Sequence, residues 1–194
     1  MIYNEAYYKS ANYKDYLHRG PRYKRMAREI VRLLESTSLL KPPILDYGCS
    51  VGFLVQALKE MNIDSYGFDI SEWAKQQCLE KNIKIVEKIE PISTLFAFDV
   101  FEHMELLEIE DVVKNAKPEV IVARIPVSIN GGKSFALDVS NNDPTHITCL
   151  EKQQWIDFID KLGYQISFRI NLCTVYDTDG VFCFVAVKKN VRNT

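Results

Sequence analysis

Three stretches of this sequence carry residue types that could act together on one ligand. The first, Asp46-Tyr47-Gly48-Cys49-Ser50-Val51-Gly52, is an acid followed by a turn of small residues. Glycines at such a turn let the chain reverse sharply and let a ligand approach the backbone. The second, Gly67-Phe68-Asp69-Ile70, puts an acid roughly 20 residues further on. At that distance a carboxylate can accept both hydroxyls of an adenosine ribose. The third is split between Phe96-Ala97-Phe98-Asp99-Val100-Phe101-Glu102-His103 and the later run Asn141-Asn142-Asp143-Pro144-Thr145-His146. Each part brings a histidine together with carboxylates, the groups that exchange protons near neutral pH.

The elements needed to position them are legible as alternating apolar runs and amphipathic segments, the pattern of a parallel sheet covered by helices. Strands are expected at about 44–46, 63–68, 83–86, 92–98, 120–123, 165–173 and 181–187. Helices are expected from Pro21, and at about 51–61, from Ser71, 105–115 and 150–162, with Gly163 as the residue after the last one. The predicted fold is α/β, a Rossmann-like, seven-stranded, mostly parallel sheet with helices on both faces. The last two strands form an antiparallel hairpin whose link, 176–180, has turn chemistry. The chain reads as one domain over 1–194, with 1–40 as an N-terminal lid or helical segment and 41–190 as the core. Its length suits one such domain and not two. All three chemical stretches then fall at the carboxyl ends of parallel strands, where open α/β sheets bind ligands.

The first stretch also discriminates between nucleoside cofactors. A dinucleotide fingerprint begun at Gly48 needs glycines where this chain has Ser50 and Phe53. A carboxylate at Asp46 would repel a pyrophosphate, whereas it suits the ammonium of a methionine moiety. The contrast favours S-adenosylmethionine. At these residues the chain resembles class I S-adenosylmethionine-dependent methyltransferases, whose first motif runs roughly Asp-x-Gly-x-Gly-x-Gly. Asp46, Gly48 and Gly52 match, and Ser50 stands in for the middle glycine. Gly67 to Ser71 is similar to the family's second motif. The segment ending in Glu102-His103 is similar to the fourth-strand region of small-molecule members, including ubiquinone-pathway enzymes, and Asp143-Pro144-Thr145-His146 resembles a segment of sugar- and glycan-associated ones. The resemblance implies the methionine end against Asp46, Tyr47 and Gly48, with Gly52 in the same turn. It puts adenosine near Asp69 and Ile70, and the sulfonium near Ala97 and Phe98.

A hydroxyl acceptor needs a base, and His146 is the first candidate, with His103 the second. The loop 126–148 is rich in Asn130, Lys133, Asp138, Asn141, Asn142 and Asp143, which suggests O-methylation of a sugar or other polar metabolite. The alternatives left open are N- or C-methylation, a non-catalytic cofactor-binding partner subunit, and a nicotinamide-dependent enzyme. Asp99, Glu102 and His103 are of types that suit Mg²⁺ or a transition metal. They read as structural, and no metal is expected. The tyrosine-rich start, with Tyr7, Tyr8 and Tyr13, is expected to lie over the site as a lid or across the sheet as a strap.

Other readings are excluded. Gly131-Gly132-Lys133-Ser134 is no P-loop, because the pattern demands a glycine at Val127. Asn142-Asp143-Pro144-Thr145 lacks the second proline and the aromatic of base-methylating motifs. A net charge of −2 and a pI near 6.0 offer no basic face for nucleic acid, so a small-molecule partner is expected. Five scattered cysteines without a C-x-x-C pair argue against disulfides and structural zinc. With no signal peptide and no apolar span, a soluble, cytoplasmic protein is expected, without membrane contact.

Overall fold

The computed structural model describes residues 3–10 and 15–189. Tyr13 therefore lies outside the described residues. Six strands form one sheet: β1 (Ile44–Tyr47), β2 (Ser65–Phe68), β3 (Thr94–Phe98), β4 (Val120–Pro126), β5 (Tyr164–Arg169) and β6 (Val181–Lys188). Their order is β2-β1-β3-β4-β6-β5. The first four are parallel, and β6 lies antiparallel between β4 and β5.

Alternate strand residues face opposite layers, as the period of a strand requires. Ile44, Phe96, Val122 and Val185 pack with Met26, Ile30 and Leu34 of α2 (Gly20–Ser36) and with Leu54 and Leu58 of α3 (Phe53–Glu60). Leu45, Leu95, Ile121 and Phe184 pack on the other face. Their partners are Ile109 and Val113 of α5 (Leu106–Ala116) and Trp155 and Ile159 of α7 (Lys152–Lys161). A sheet buried on both faces explains why β1, β3 and β4 read as continuous apolar runs. The shorter helices are α1 (Glu5–Tyr8), α4 (Glu72–Glu80) and α6 (Asp138–Asn141). Among the described residues, no helix is long and apolar enough to cross a membrane.

Three expectations need correction. The segment 83–86 is not a seventh strand. It makes an isolated parallel bridge between Gly67 and Ile85, with Gly67 donating to the Lys84 carbonyl and Val86 to that of Gly67. Ile83 is instead drawn into a pocket with Cys49, Val55 and Cys78, which leaves too few residues for a ladder. The strand from Gln165 ends at Arg169, not Cys173, after an irregularity between Ile166 and Phe168. Residues 170–180 then form a long connection, not a tight turn, before β6. Finally, α3 begins at Phe53 and not Val51, because Ser50 and Gly52 both have positive φ. By contrast, Ser71 caps α4 by accepting from the Ala74 N–H at 3.1 Å.

Candidate active site

The loops leaving β1, β2, β3 and β4 at their carboxyl ends surround a cavity of about 310 Å³, a volume within the usual range of ligand sites. The end of β1 gives Asp46 and Tyr47, and the loop after it Gly48 and Ser50; after β2 come Asp69 and Ile70. The end of β3 and the turn beyond it supply Phe98, Asp99, Glu102 and His103. Asp143 and His146 enter from the long loop after β4, and Tyr3, Tyr7, Tyr8 and Tyr16 from the N-terminal segment. One cavity thus gathers the three sequence stretches.

Two expected contacts are absent from its border. Ala97 is fully buried in the core layer with Leu45 and Trp155. Gly52 faces away as well: a Cβ there would meet Ile83 Cδ1 at 2.7 Å and Cys78 Sγ at 2.9 Å. With φ +77°, Gly52 is a glycine because of its backbone and its packing, not because a ligand approaches it. Gly48 does border the cavity, yet a Cβ on it would lie 2.5 Å from Val100 Cγ2. The turn is therefore built as much around Val100 as around a ligand.

Asp69 organises the side of the cavity next to β1 and β2. Its Oδ2 accepts the Ser50 N–H at 2.7 Å and its Oδ1 the Ser71 N–H at 2.8 Å, so it ties the β1 loop to the start of α4. Burial raises its pKa, with these two N–H donors and Lys75 acting in the opposite sense. Asp46 is different. It is buried, and no hydrogen bond reaches its carboxylate from the described residues. Burial, and then the charge of Asp69, push it up to about 8. A buried acid without a donor beside a second acid is a place for a cation.

Ser50, the departure from the glycine pattern, has φ +51°. A side chain in this region costs roughly 1 kcal/mol. Ser50→Gly is accordingly expected to raise the melting temperature by about 2–4 °C, because the N–H given to Asp69 belongs to the main chain. A thermal melt checks this.

The far wall is a relay. Thr145 Oγ1 lies 2.5 Å from Asp143 Oδ1 and 2.8 Å from His103 Nδ1. Burial opposes charge on Asp143, but the Thr145 hydroxyl and N–H outweigh it and hold the acid below its ordinary value. An ionised Asp143 can only accept, so Thr145 donates to it and must accept from His103. This assigns the proton of His103 to Nδ1 and leaves the Nε2 lone pair uncommitted. Burial, and then the neighbouring His146, hold His103 down to about 4, so the ring is neutral. Burial also lowers His146. Its Nε2 stands 3.9 Å from both Glu102 Oε1 and Asp143 Oδ2, and the two imidazole centroids are 4.5 Å apart. The backbone carbonyl of Glu102 accepts from Ile147 and Thr148, which pins the loop carrying His146 over the turn carrying Glu102 and His103.

The N-terminal segment crosses this cavity. The Tyr3 carbonyl accepts from Ser71 Oγ at 2.5 Å, Tyr7 donates to Asp143 Oδ2 at 3.2 Å, and Tyr8 stacks on Trp73 at 4.9 Å. Sequence reasoning missed Thr145 as the link between Asp143 and His103, since a threonine carries no signal of its own. It also grouped Asp99 with Glu102, whereas Asp99 pairs with Arg124 at 3.2 Å. The polarity of the 126–148 loop is largely internal: Asn141 bonds both backbone groups of Phe135, and Asn130 bonds Ser128 and Ser134. Its cavity-facing residues include the apolar Leu137 and Val139.

No family model and no curated protein matches the chain. Solved structures do. A S-adenosylmethionine-dependent methyltransferase from Clostridium acetobutylicum superposes with a TM-score of 0.67 at 11% identity, covering 95% of this chain and 100% of that one. Magnesium protoporphyrin IX methyltransferase from Synechocystis, with bound S-adenosylhomocysteine, gives 0.63 at 17% identity over 87% of this chain and 84% of its own. The CcbJ methyltransferase from Streptomyces caelestis gives 0.65 at 13%, covering 87% and 90%. This is the fold of class I S-adenosylmethionine-dependent methyltransferases. The two strand-end acids Asp46 and Asp69 occupy one half of the cavity, and the Glu102, His103 and His146 cluster occupies the other.

Proposed function

We propose that this chain binds S-adenosylmethionine and transfers its methyl group to a hydroxyl of a sugar or another polar small molecule. The observation that carries the reading is the pair of buried carboxylates at adjacent strand ends, one of which, Asp46, meets no hydrogen-bond donor among the described residues. The methionine ammonium supplies the missing partner of Asp46, and the ribose hydroxyls reach the remaining lone pairs of Asp69. Tyr47, Gly48, Ile70 and Phe98 line the space between. When bound, the cofactor supplies an electrophilic methyl on a sulfonium. The chain's own task is to hold the acceptor in line with it and to take the proton. His103 suits that task better than His146, the first candidate from sequence, because its tautomer is fixed by Thr145 and Asp143 and its Nε2 lone pair meets no donor among the described residues. A small-molecule acceptor agrees with the magnesium protoporphyrin IX methyltransferase of similar fold.

Calorimetric titration with S-adenosylhomocysteine, followed by transfer of labelled methyl to a panel of sugars, phenols and amines, tests the reading. Micromolar binding and label on oxygen are expected. No binding by folded protein overturns it, and label on nitrogen overturns the hydroxyl half alone. A second expectation concerns pH. The folded-state pKa of Asp46 lies above the ordinary carboxylate value near 4. The folded chain therefore holds a proton that the unfolded chain has released between about pH 4 and pH 8. Stability attributable to Asp46 falls as pH rises through that window, while affinity for an ammonium ligand rises with ionisation. Asp46→Asn is expected to melt at least about 2–4 °C higher at pH 8.5. It should also bind S-adenosylhomocysteine more weakly, with no pH dependence from this group.

A further inference from the structure

The wall opposite the two strand-end acids holds an unusual trio. Glu102 is 1% exposed, and neither of its carboxyl oxygens has a hydrogen-bond partner among the described residues. A buried carboxyl left so costs free energy unless something else in the site satisfies it. Beside it, His103 presents Nε2 as a lone pair, and His146 brings Nε2 to 3.9 Å from Glu102 Oε1. One ligand atom from each of Glu102, His103 and His146 lies within 4.8 Å of the others, and all three residues border the cavity. We propose that Glu102, His103 and His146 form a binding site for a divalent transition-metal ion, with its open coordination positions toward the acceptor half of the cavity.

Four features of the chain support this. Two neutral imidazoles and one carboxylate are a donor set that suits Zn²⁺, Mn²⁺, Co²⁺ or Fe²⁺ better than the all-oxygen shells of Ca²⁺ or Mg²⁺. Metal-ligating histidines characteristically give their other ring N–H to a carboxylate or its surrogate. His103 does so through Thr145 to Asp143. Ligands about 2.1 Å from a tetrahedral ion sit about 3.4 Å apart, so His146 and Glu102, at 3.9 Å, close by about half an ångström, and no pair of the three closes by more than about 1.4 Å. The loop carrying His146 is already hydrogen-bonded to the Glu102 carbonyl, which limits its freedom to leave. Asp99 is not part of the set, because Arg124 engages it. The site runs against the sequence expectation of no metal, which weighed Asp99 in place of a histidine from the distant loop.

This inference rests on the proposed function and changes its acceptor side: with an ion bound, His103 Nε2 is a ligand and no longer the base, the acceptor hydroxyl oxygen binds the ion, and its proton leaves to solvent. It is tested without any acceptor. Metal-free protein is titrated calorimetrically with Zn²⁺ and Mn²⁺, and Co²⁺ is followed by its visible absorption. One ion per chain is expected, with binding weakened at least tenfold in Glu102→Gln, His103→Ala and His146→Ala. Thr145→Val is expected to weaken it about tenfold through His103. His18→Ala, which removes the exposed third histidine, is expected to bind like the parent. Thermal melts confirm that each variant is folded, and Glu102→Gln, which keeps the shape of the side chain, stands in should a histidine variant fail to fold. No binding at 1 mM ion, or equal binding by the parent and Glu102→Gln, overturns the site. S-adenosylhomocysteine titration of the same samples separates the two readings: binding without metal leaves the cofactor assignment standing and removes only this one.

Discussion

Asp69→Ala is expected to weaken S-adenosylhomocysteine binding at least about 100-fold, beyond the reach of a micromolar titration. Two losses combine. The carboxylate accepts N–H groups from Ser50 and Ser71, and each such charge-assisted bond contributes roughly 1.5–3 kcal/mol. The variant also removes the acceptor for the ribose hydroxyls. The Ser50 N–H belongs to a left-handed residue in the turn between β1 and α3, so freeing it loosens the wall of the cavity beside Asp46. Asp69→Asn sharpens the test. Its amide oxygen can serve one of the two N–H donors, while its NH₂ faces the other, donor against donor. Asn is therefore expected to bind nearly as poorly as Ala, although it preserves shape. Tight binding by folded Asp69→Asn would show that the acid only braces the turns after β1 and β2.

His103→Ala is expected to lower the rate of methyl transfer by about 10²–10⁴-fold, the usual contribution of a positioned acid–base group, while changing affinity for S-adenosylhomocysteine less than about threefold. That split follows from geometry: His103 stands on the acceptor wall, away from Asp46 and Asp69. Thr145→Val separates positioning from packing. It leaves the imidazole but removes the hydroxyl that fixes its proton on Nδ1, and a loss of about tenfold is expected. The pH profile gives an independent reading. Burial depresses the folded-state pKa of His103 to about 4, against about 6.5 for an unfolded histidine. Between these values the unfolded chain binds a proton that the folded chain refuses, so stability rises with pH from about 4 to 6.5 and is level above. Transfer should likewise be level above about pH 5 as far as His103 is concerned. A rate that climbs through pH 6.5 would contradict a pre-deprotonated imidazole.

The sequence by itself determined the order and kind of most elements, because a sheet covered on both faces writes itself as apolar runs between amphipathic helices. It also determined that Asp46 and Asp69 stand at strand ends, since the turn residues after each are local. It did not determine strand number. Whether Ile83 to Val86 joins a ladder depends on a packing competition with α3 and α4, and the side chain of Ile83 settles that against the sheet. Nor did it separate Gly48 from Gly52: both are required by positive φ, yet only the fold shows that Gly52 faces Cys78 and Ile83 and not a ligand. The wall opposite the two acids was the least legible. Glu102 and His103 are local to one turn, but Asp143, Thr145 and His146 arrive from a loop some 40 residues away, held by main-chain bonds to the Glu102 carbonyl that no side-chain motif encodes. Periodicity and turn chemistry act over a few residues and can be read in order. The approach of Glu102, His103 and His146 to within 4.8 Å of one another acts through space, and it arises only in the folded chain.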